Sequence, residues 1–199
     1  MKLLSRLILK LIGWKLDERV PETQRYVLIA YPHTSNWDFI LGMLAKWGMG
    51  LPINWVAKHS MFWGPFKPVF IAMGGVPLNR EKTTGFIQKN IELFAQREQF
   101  ILGLMPEGTR SKTDHWKTGF YHIAHGANVP IALAYLDYKN KVIGIGEIIQ
   151  SSGDIHADLK IIKAFYKDKI GYKPEKQSAI SIAPQKNMTD KKTDKSVHH

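Results

Sequence analysis

Two apolar, β-rich runs govern how this chain can fold: Tyr26-Val27-Leu28-Ile29-Ala30, ended by Pro32, and Phe100 to Met105, followed by Pro106. Apolar runs this short, rich in β-branched and aromatic residues and stopped by proline, read as buried strands, the first extending over Arg25 to Tyr31. Further strands are predicted over Asn54 to Ala57, over Val76 to Leu78 after the Gly74-Gly75 turn, over Val129 to Leu136 and over Val142 to Ile145. Helices are predicted between them, over Trp37 to Trp47, over Thr83 to Arg97 with Ile87, Ile91 and Phe94 facing inward, around His122 to His125, and over Asp154 to Tyr166. Strands alternating with helices imply an α/β fold, a single-domain mixed sheet flanked by helices. The 199 residues suffice to bury one such core.

The two ends differ from this middle. Lys2, Arg6 and Lys10 recur at a spacing of four, and Leu4, Leu7, Ile8 and Leu11 take the opposite face, with Leu9 as the exception. Residues 1–16 therefore read as a basic amphipathic helix, packed either on the domain's own core or in the headgroup layer of a membrane. The basic stripe and Trp14 favour the membrane. This segment lacks the uninterrupted apolar centre and small-residue cleavage site of a signal peptide. The domain proper is placed at residues 17–183, and residues 184–199, almost without apolar side chains, are expected to form a disordered tail. A formal net charge of +11 calls for an anionic partner, whether an acidic bilayer, a phosphorylated substrate or nucleic acid. No apolar run reaches the roughly 18 to 20 residues needed to span a bilayer. The absence of cysteine excludes disulfides, thiolate metal sites and a thiol nucleophile.

Three segments follow predicted strands and so bring polar or small residues to one edge of the sheet, where ligands of open α/β sheets collect. The first, His33-Thr34-Ser35-Asn36-Trp37-Asp38, sets a histidine at a strand end and an aspartate five positions on. If the chain turns between them, Asp38 accepts a hydrogen bond from one ring nitrogen and leaves the other to take a proton from an attacking hydroxyl. The same segment fits a capping box, with Ser35 as N-cap and Asp38 at the third helical position. The second, Pro106-Glu107-Gly108-Thr109-Arg110-Ser111, offers a permissive glycine, backbone amides, hydroxyls, and in Arg110 a planar donor fork suited to phosphate. Taken alone it is also compatible with a turn carrying a surface arginine. The third, Gly74 to Arg80, ends in another arginine, and lone arginines after strands are common.

Together and in this order the segments resemble the lysophosphatidic acid acyltransferase family, the 1-acyl-glycerol-3-phosphate acyltransferases of glycerophospholipid synthesis. The matching positions are His33 with Asp38, Gly74 with Arg80, Pro106 to Ser111, and Val129-Pro130-Ile131; Pro32, Met105, Pro77 and Leu133 depart from the family pattern. The resemblance implies a glycerol-3-phosphate acyltransferase-like fold and an O-acyltransferase. Such an enzyme moves a fatty acyl group from acyl-CoA or acyl-carrier protein to the hydroxyl of a lysophospholipid such as lysophosphatidic acid, with the thioester as co-substrate and no cofactor or metal. By the same resemblance His33 would be the general base and Asp38 its partner. Glu107, Gly108 and Thr109 would shape the acceptor pocket, and Arg80 and Arg110 would hold the acceptor's phosphate, with Lys58 and Lys117 as secondary candidates. The implied partners are a lysolipid acceptor, an acyl-thioester donor and an anionic membrane surface, not nucleic acid. The implied location is the cytoplasmic face of a membrane, peripheral or monotopic. Alternatives are the same chemistry on a lipid A precursor, an amino-lipid or glycerol 3-phosphate, and a basic membrane-binding protein without catalysis.

The remaining inventory agrees with direct attack on the thioester, since no cysteine and no Gly-x-Ser-x-Gly elbow supplies a covalent nucleophile. His122 and His125 lack an acidic companion nearby and read as structural. Trp47, Trp55, Met61, Phe62, Trp63, Phe66 and Phe70, interrupted by Lys46, Lys58 and Lys67, read either as core plus a covering loop or as an acyl-chain tunnel opening at a bilayer.

Overall fold

The computed structural model describes residues 1–78 and 83–184; Arg80 and the chain beyond Pro184, where the tail was expected, lie outside the described residues. In chain order the elements are α1 (Lys2–Leu11), β1 (Lys15–Glu18), β2 (Arg25–Tyr31), α2 (Trp37–Met49) and β3 (Ile53–Lys58). Two single turns of tighter 3₁₀ helix lead to α3 (Lys67–Ala72) and β4 (Gly75–Leu78), then α4 (Thr83–Gln96) and β5 (Phe100–Leu104). The chain continues through α5 (Gly119–Gly126), β6 (Ile131–Asp137), β7 (Val142–Ile149) and α6 (Ile155–Tyr166).

The seven strands form one sheet in the order β1-β7-β6-β2-β5-β3-β4. Neighbours are parallel except β6 and β7, which pair antiparallel across a short turn and make the sheet mixed. β2 lies between β5 and β6, so both its edges are paired, and its two faces are buried in separate core clusters. Val27, Ile29, Leu102, Ile131 and Leu133 accordingly show no exposure, and the central strands read as continuous apolar runs. On one face Phe94, Phe120, Ile123, Leu159 and Ile162, from α4, α5 and α6, close the main core. On the other, Leu9, Leu41 and Ala45 from α1 and α2 pack on Leu136 and Ile143.

Every predicted strand and helix is present, and the differences are at the margins. β1 and α3 were not expected: β1 is a four-residue, mostly polar edge strand, and α3 a six-residue helix with Pro68 in its first turn. α6 begins at Ile155, because the Asp154 carboxylate accepts from the amides of His156 and Ala157 and acts as the cap.

The N-terminal segment departs from expectation in its extent. The helix ends at Leu11, and the boundary drawn at residue 16 falls inside β1, which is hydrogen-bonded into the sheet. The orientation of the helix, which the sequence left open between the two readings, is set by contacts with the domain. Arg6, from the basic stripe, faces the domain, its Nε donating to the Gly48 carbonyl at 2.8 Å and its Nη2 pairing with Glu18. Leu9, the apparent exception on the wheel, is the buried anchor, while Leu3, Leu4, Leu7 and Leu11 are exposed. An apolar stripe thus turns to solvent, with Lys2 and Lys10 exposed beside it. Among the described residues no helix is long and apolar enough to cross a membrane.

Because β2, β3, β4, β5 and β6 run parallel, their C-terminal ends share one edge. That edge carries His33, Lys58, Glu107 to Arg110 and Tyr138.

Candidate active site

The loop from β2 into α2 brings the first predicted pair together. His33 Nδ1 lies 3.1 Å from Asp38 Oδ2. An ionised carboxylate only accepts, so the contact sets the proton on Nδ1 and leaves Nε2 with its lone pair. The same Oδ2 accepts from the amides of Thr34 at 2.7 Å and Ser35 at 2.9 Å. Of the predicted capping box only the half from Asp38 to the Ser35 amide forms, and Ser35 is not the N-cap. Ser35 Oγ accepts from the Trp37 amide at 3.2 Å, and the N-cap of α2 is Asn36. Asp38 Oδ1 accepts from the Tyr138 hydroxyl at 2.7 Å. Burial pushes the Asp38 carboxyl up, but the hydrogen bonds from His33, Tyr138 and the Ser35 amide outweigh it and hold the group below the ordinary carboxylate range.

The loop after β5 supplies the second set. Gly108 has φ +64°, the left-handed region that suits glycine, and its amide donates to the Met105 carbonyl at 2.9 Å to close the turn. Glu107 does not present its carboxylate as a free acceptor-binding group. It is 2% exposed, Oε2 accepting from the His33 amide at 2.7 Å and Oε1 from the Ser178 amide at 3.1 Å. It ties the loop to His33 and to the C-terminal stretch, so it shapes the site from behind. Burial drives its carboxyl above the ordinary value, and the bonds from Ser178 and His33 only partly offset this. Thr109 Oγ1 accepts from the Ser111 amide at 3.2 Å.

His33, 11% exposed at its side chain, opens onto a cleft of about 460 Å³ whose lining includes Lys58, Gly108, Thr109 and Arg110. The structure therefore gathers His33, Arg110 and Lys58, three of the predicted site residues, around one cleft. Lys117 stands apart from His33, in a neighbouring cavity of about 470 Å³ lined by Leu78, Phe86, Ile87, Leu104 and Phe120 among others. Met105 borders both spaces and a third, smaller apolar cavity lined by Phe39, Trp55 and Lys46. Lys46 is thus not a headgroup lysine: it is 9% exposed, donates to the Met73 carbonyl, and is lowered in pKa by burial. The aromatic stretch divides, with Trp55, Phe62 and Phe70 packed together and Trp63 and Phe66 exposed by 85% and 65%.

Sequence reasoning missed Tyr138, Ser178 and the inward role of Lys46. Only Tyr138 carried a usable signal, its place just past β6 on the edge shared with His33. His125, read as structural, stacks on Tyr121 and has Nδ1 3.1 Å from Ser151 Oγ.

A model of the Acyltransferase family matches residues 13–135. The crystal structure of the 1-acyl-sn-glycerophosphate (LPA) acyltransferase PlsC from Thermotoga maritima is similar to this one, with a TM-score of 0.56 and 17% identity. The match covers 83% of this chain and 76% of that one. No curated protein matches the chain. The span that fits the family model holds the His33–Asp38 pair, β5 and the Glu107 to Arg110 loop, and it takes in well over half of the 199 residues, so the chain belongs to the acyltransferase family.

Proposed function

We propose that this protein transfers a fatty acyl group from a thioester, acyl-CoA or acyl-carrier protein, to the free hydroxyl of a lysophospholipid such as lysophosphatidic acid. The observation that carries the reading is the His33–Asp38 contact facing a cleft that also holds Arg110. Nε2 of His33 takes the proton from the acceptor hydroxyl as its oxygen attacks the thioester carbonyl. The C–S bond breaks, and the imidazolium, stabilised by Asp38, returns the proton to the leaving thiolate. Arg110 offers paired N–H donors to the acceptor's phosphate. The apolar cavity that shares Met105, Gly108 and Thr109 with the cleft gives a fatty chain a place beside the reacting end.

Lysolipids and their products reside in bilayers, and the exposed leucines of α1 together with Trp63 and Phe66 suit a protein seated on a membrane, on its cytoplasmic face. Purified protein given acyl-CoA or acyl-carrier protein and lysophosphatidic acid should form diacyl product detectable by mass spectrometry. His33→Ala should lower kcat by roughly a hundred- to ten-thousandfold. A broad panel of lysolipids left unacylated, or a His33→Ala variant as fast as the parent, would refute the mechanism. Acylation confined to glycerol 3-phosphate, an amino-lipid or a lipid A precursor would reassign the acceptor.

A further inference from the structure

The two oxygens of Asp38 are held from different parts of the chain. Oδ2 takes three donors from its own loop, His33 Nδ1 and the amides of Thr34 and Ser35. Oδ1 accepts from Tyr138, a hundred residues away in the turn after β6. The Tyr138 ring is held in turn: Trp14 meets it edge-on at 4.9 Å and 90°, Tyr172 lies at 5.2 Å, and its amide donates to the Ile170 carbonyl at 2.9 Å. Trp14 follows α1 directly, its amide donating to the Leu9 carbonyl at 2.8 Å. Leu9 packs against Leu41 and Ala45 of α2, the helix whose first turn carries Asp38.

We infer that Tyr138 is a positioning residue for the His33–Asp38 pair and that Trp14 holds it there, so that the seating of the N-terminal helix is felt at the base. The inference rests on the proposed role of His33. A carboxylate bonded through one oxygen only can turn about its Cβ–Cγ bond. Fixing Oδ1 sets the plane of the group and so keeps Oδ2 aligned on the imidazole. Without the Tyr138 hydroxyl, Oδ1 becomes a buried acceptor lacking that donor, a state proteins relieve by rearranging. Asp38 is 1% exposed, and rearrangement would turn it away from Nδ1.

The experiment measures kcat and both KM values for acyl transfer from acyl-CoA to detergent-dispersed lysophosphatidic acid, with thermal unfolding midpoints, in the parent, Tyr138→Phe, Trp14→Ala and the double variant. Tyr138→Phe should lower kcat roughly tenfold with both KM values unchanged and only a modest fall in the midpoint. Trp14→Ala should lower kcat severalfold, Trp14→Phe, which keeps an edge-on ring, should recover most of that loss, and the double variant should be no slower than Tyr138→Phe alone. Parental kcat in Tyr138→Phe, a change confined to KM or to the midpoint, or multiplied losses in the double variant would overturn the inference.

A second readout needs no turnover. Nitrogen NMR of the His33 ring, assigned by loss of its signal in His33→Gln, should show the Nδ1–H tautomer in the parent and a mixture of tautomers in Tyr138→Phe. If the parent transfers no acyl group, the functional reading fails and the ring signal still decides the positioning role. An unchanged ring signal in Tyr138→Phe overturns that role.

Discussion

Among the described residues Asp38 is held by more hydrogen bonds than any other carboxylate at this edge, and its charge is stable because of them. Burial opposes ionisation, yet the donors from His33, Tyr138 and the Ser35 amide hold its pKa below the ordinary value. A carboxyl depressed in the folded state contributes stability that is fully present above its unfolded value, about 3.9, and is lost as pH falls through the lower folded value. Unfolding midpoints of the parent and Asp38→Asn should therefore keep a clear gap at about pH 5 and converge below about pH 4. A gap undiminished at about pH 2 would mean that the ionised carboxylate is not what anchors the loop. The pairing of His33 with Asp38 was legible in the sequence, because both flank one strand end and a single turn brings them together. The direction in which Glu107 points was not. Its partners, the amides of His33 and Ser178, lie about seventy residues away on either side, and nothing local distinguishes a buried double acceptor from a pocket-lining one.

Among the elements, α1 separates periodicity from orientation. A helical wheel identifies two stripes without saying which one the domain takes. Here the choice is made by Gly48 and Glu18, which accept from Arg6, and by the hollow that receives Leu9. Leu9→Ala should cost about 2–5 kcal/mol in urea unfolding, the usual penalty for emptying a buried leucine site. Leu7→Ser, on the exposed face, should stay within about 0.5 kcal/mol of the parent. It should nonetheless weaken sedimentation with anionic vesicles. Equal losses of stability in the two variants, or unaltered vesicle binding by Leu7→Ser, would contradict a divided helix. Neither β1 nor α3 was legible, because a four-residue edge strand and a six-residue helix are too short for a period to register.

For the molecule as a whole, a net charge of +11 and exposed apolar side chains make separable contributions to membrane binding. Attraction between the basic protein and an anionic surface decays over a Debye length, about 10 Å at 0.1 M salt and about 3 Å at 1 M. Insertion of Trp63 and Phe66 removes apolar surface from water and is not screened. Binding to anionic vesicles should therefore weaken as salt rises but level off at a residual affinity, and Trp63→Ala with Phe66→Ala should lower that residual while leaving the unfolding midpoint in place. Binding that vanishes in high salt for the parent would leave the two aromatics without an interfacial role.

Apart from β1 and α3, the order of strands and helices, the mixed sheet's buried centre and the chemical groups along one edge followed from the sequence by itself, because apolar runs, proline stops and residue types act within a few positions of where they stand. Tertiary structure alone decided which stripe of α1 turns outward, that Glu107 and Lys46 face inward, and that Tyr138 completes the hold on Asp38. Each of these depends on a partner distant along the chain, and such partners meet only once the sheet has brought its strand ends to a common edge.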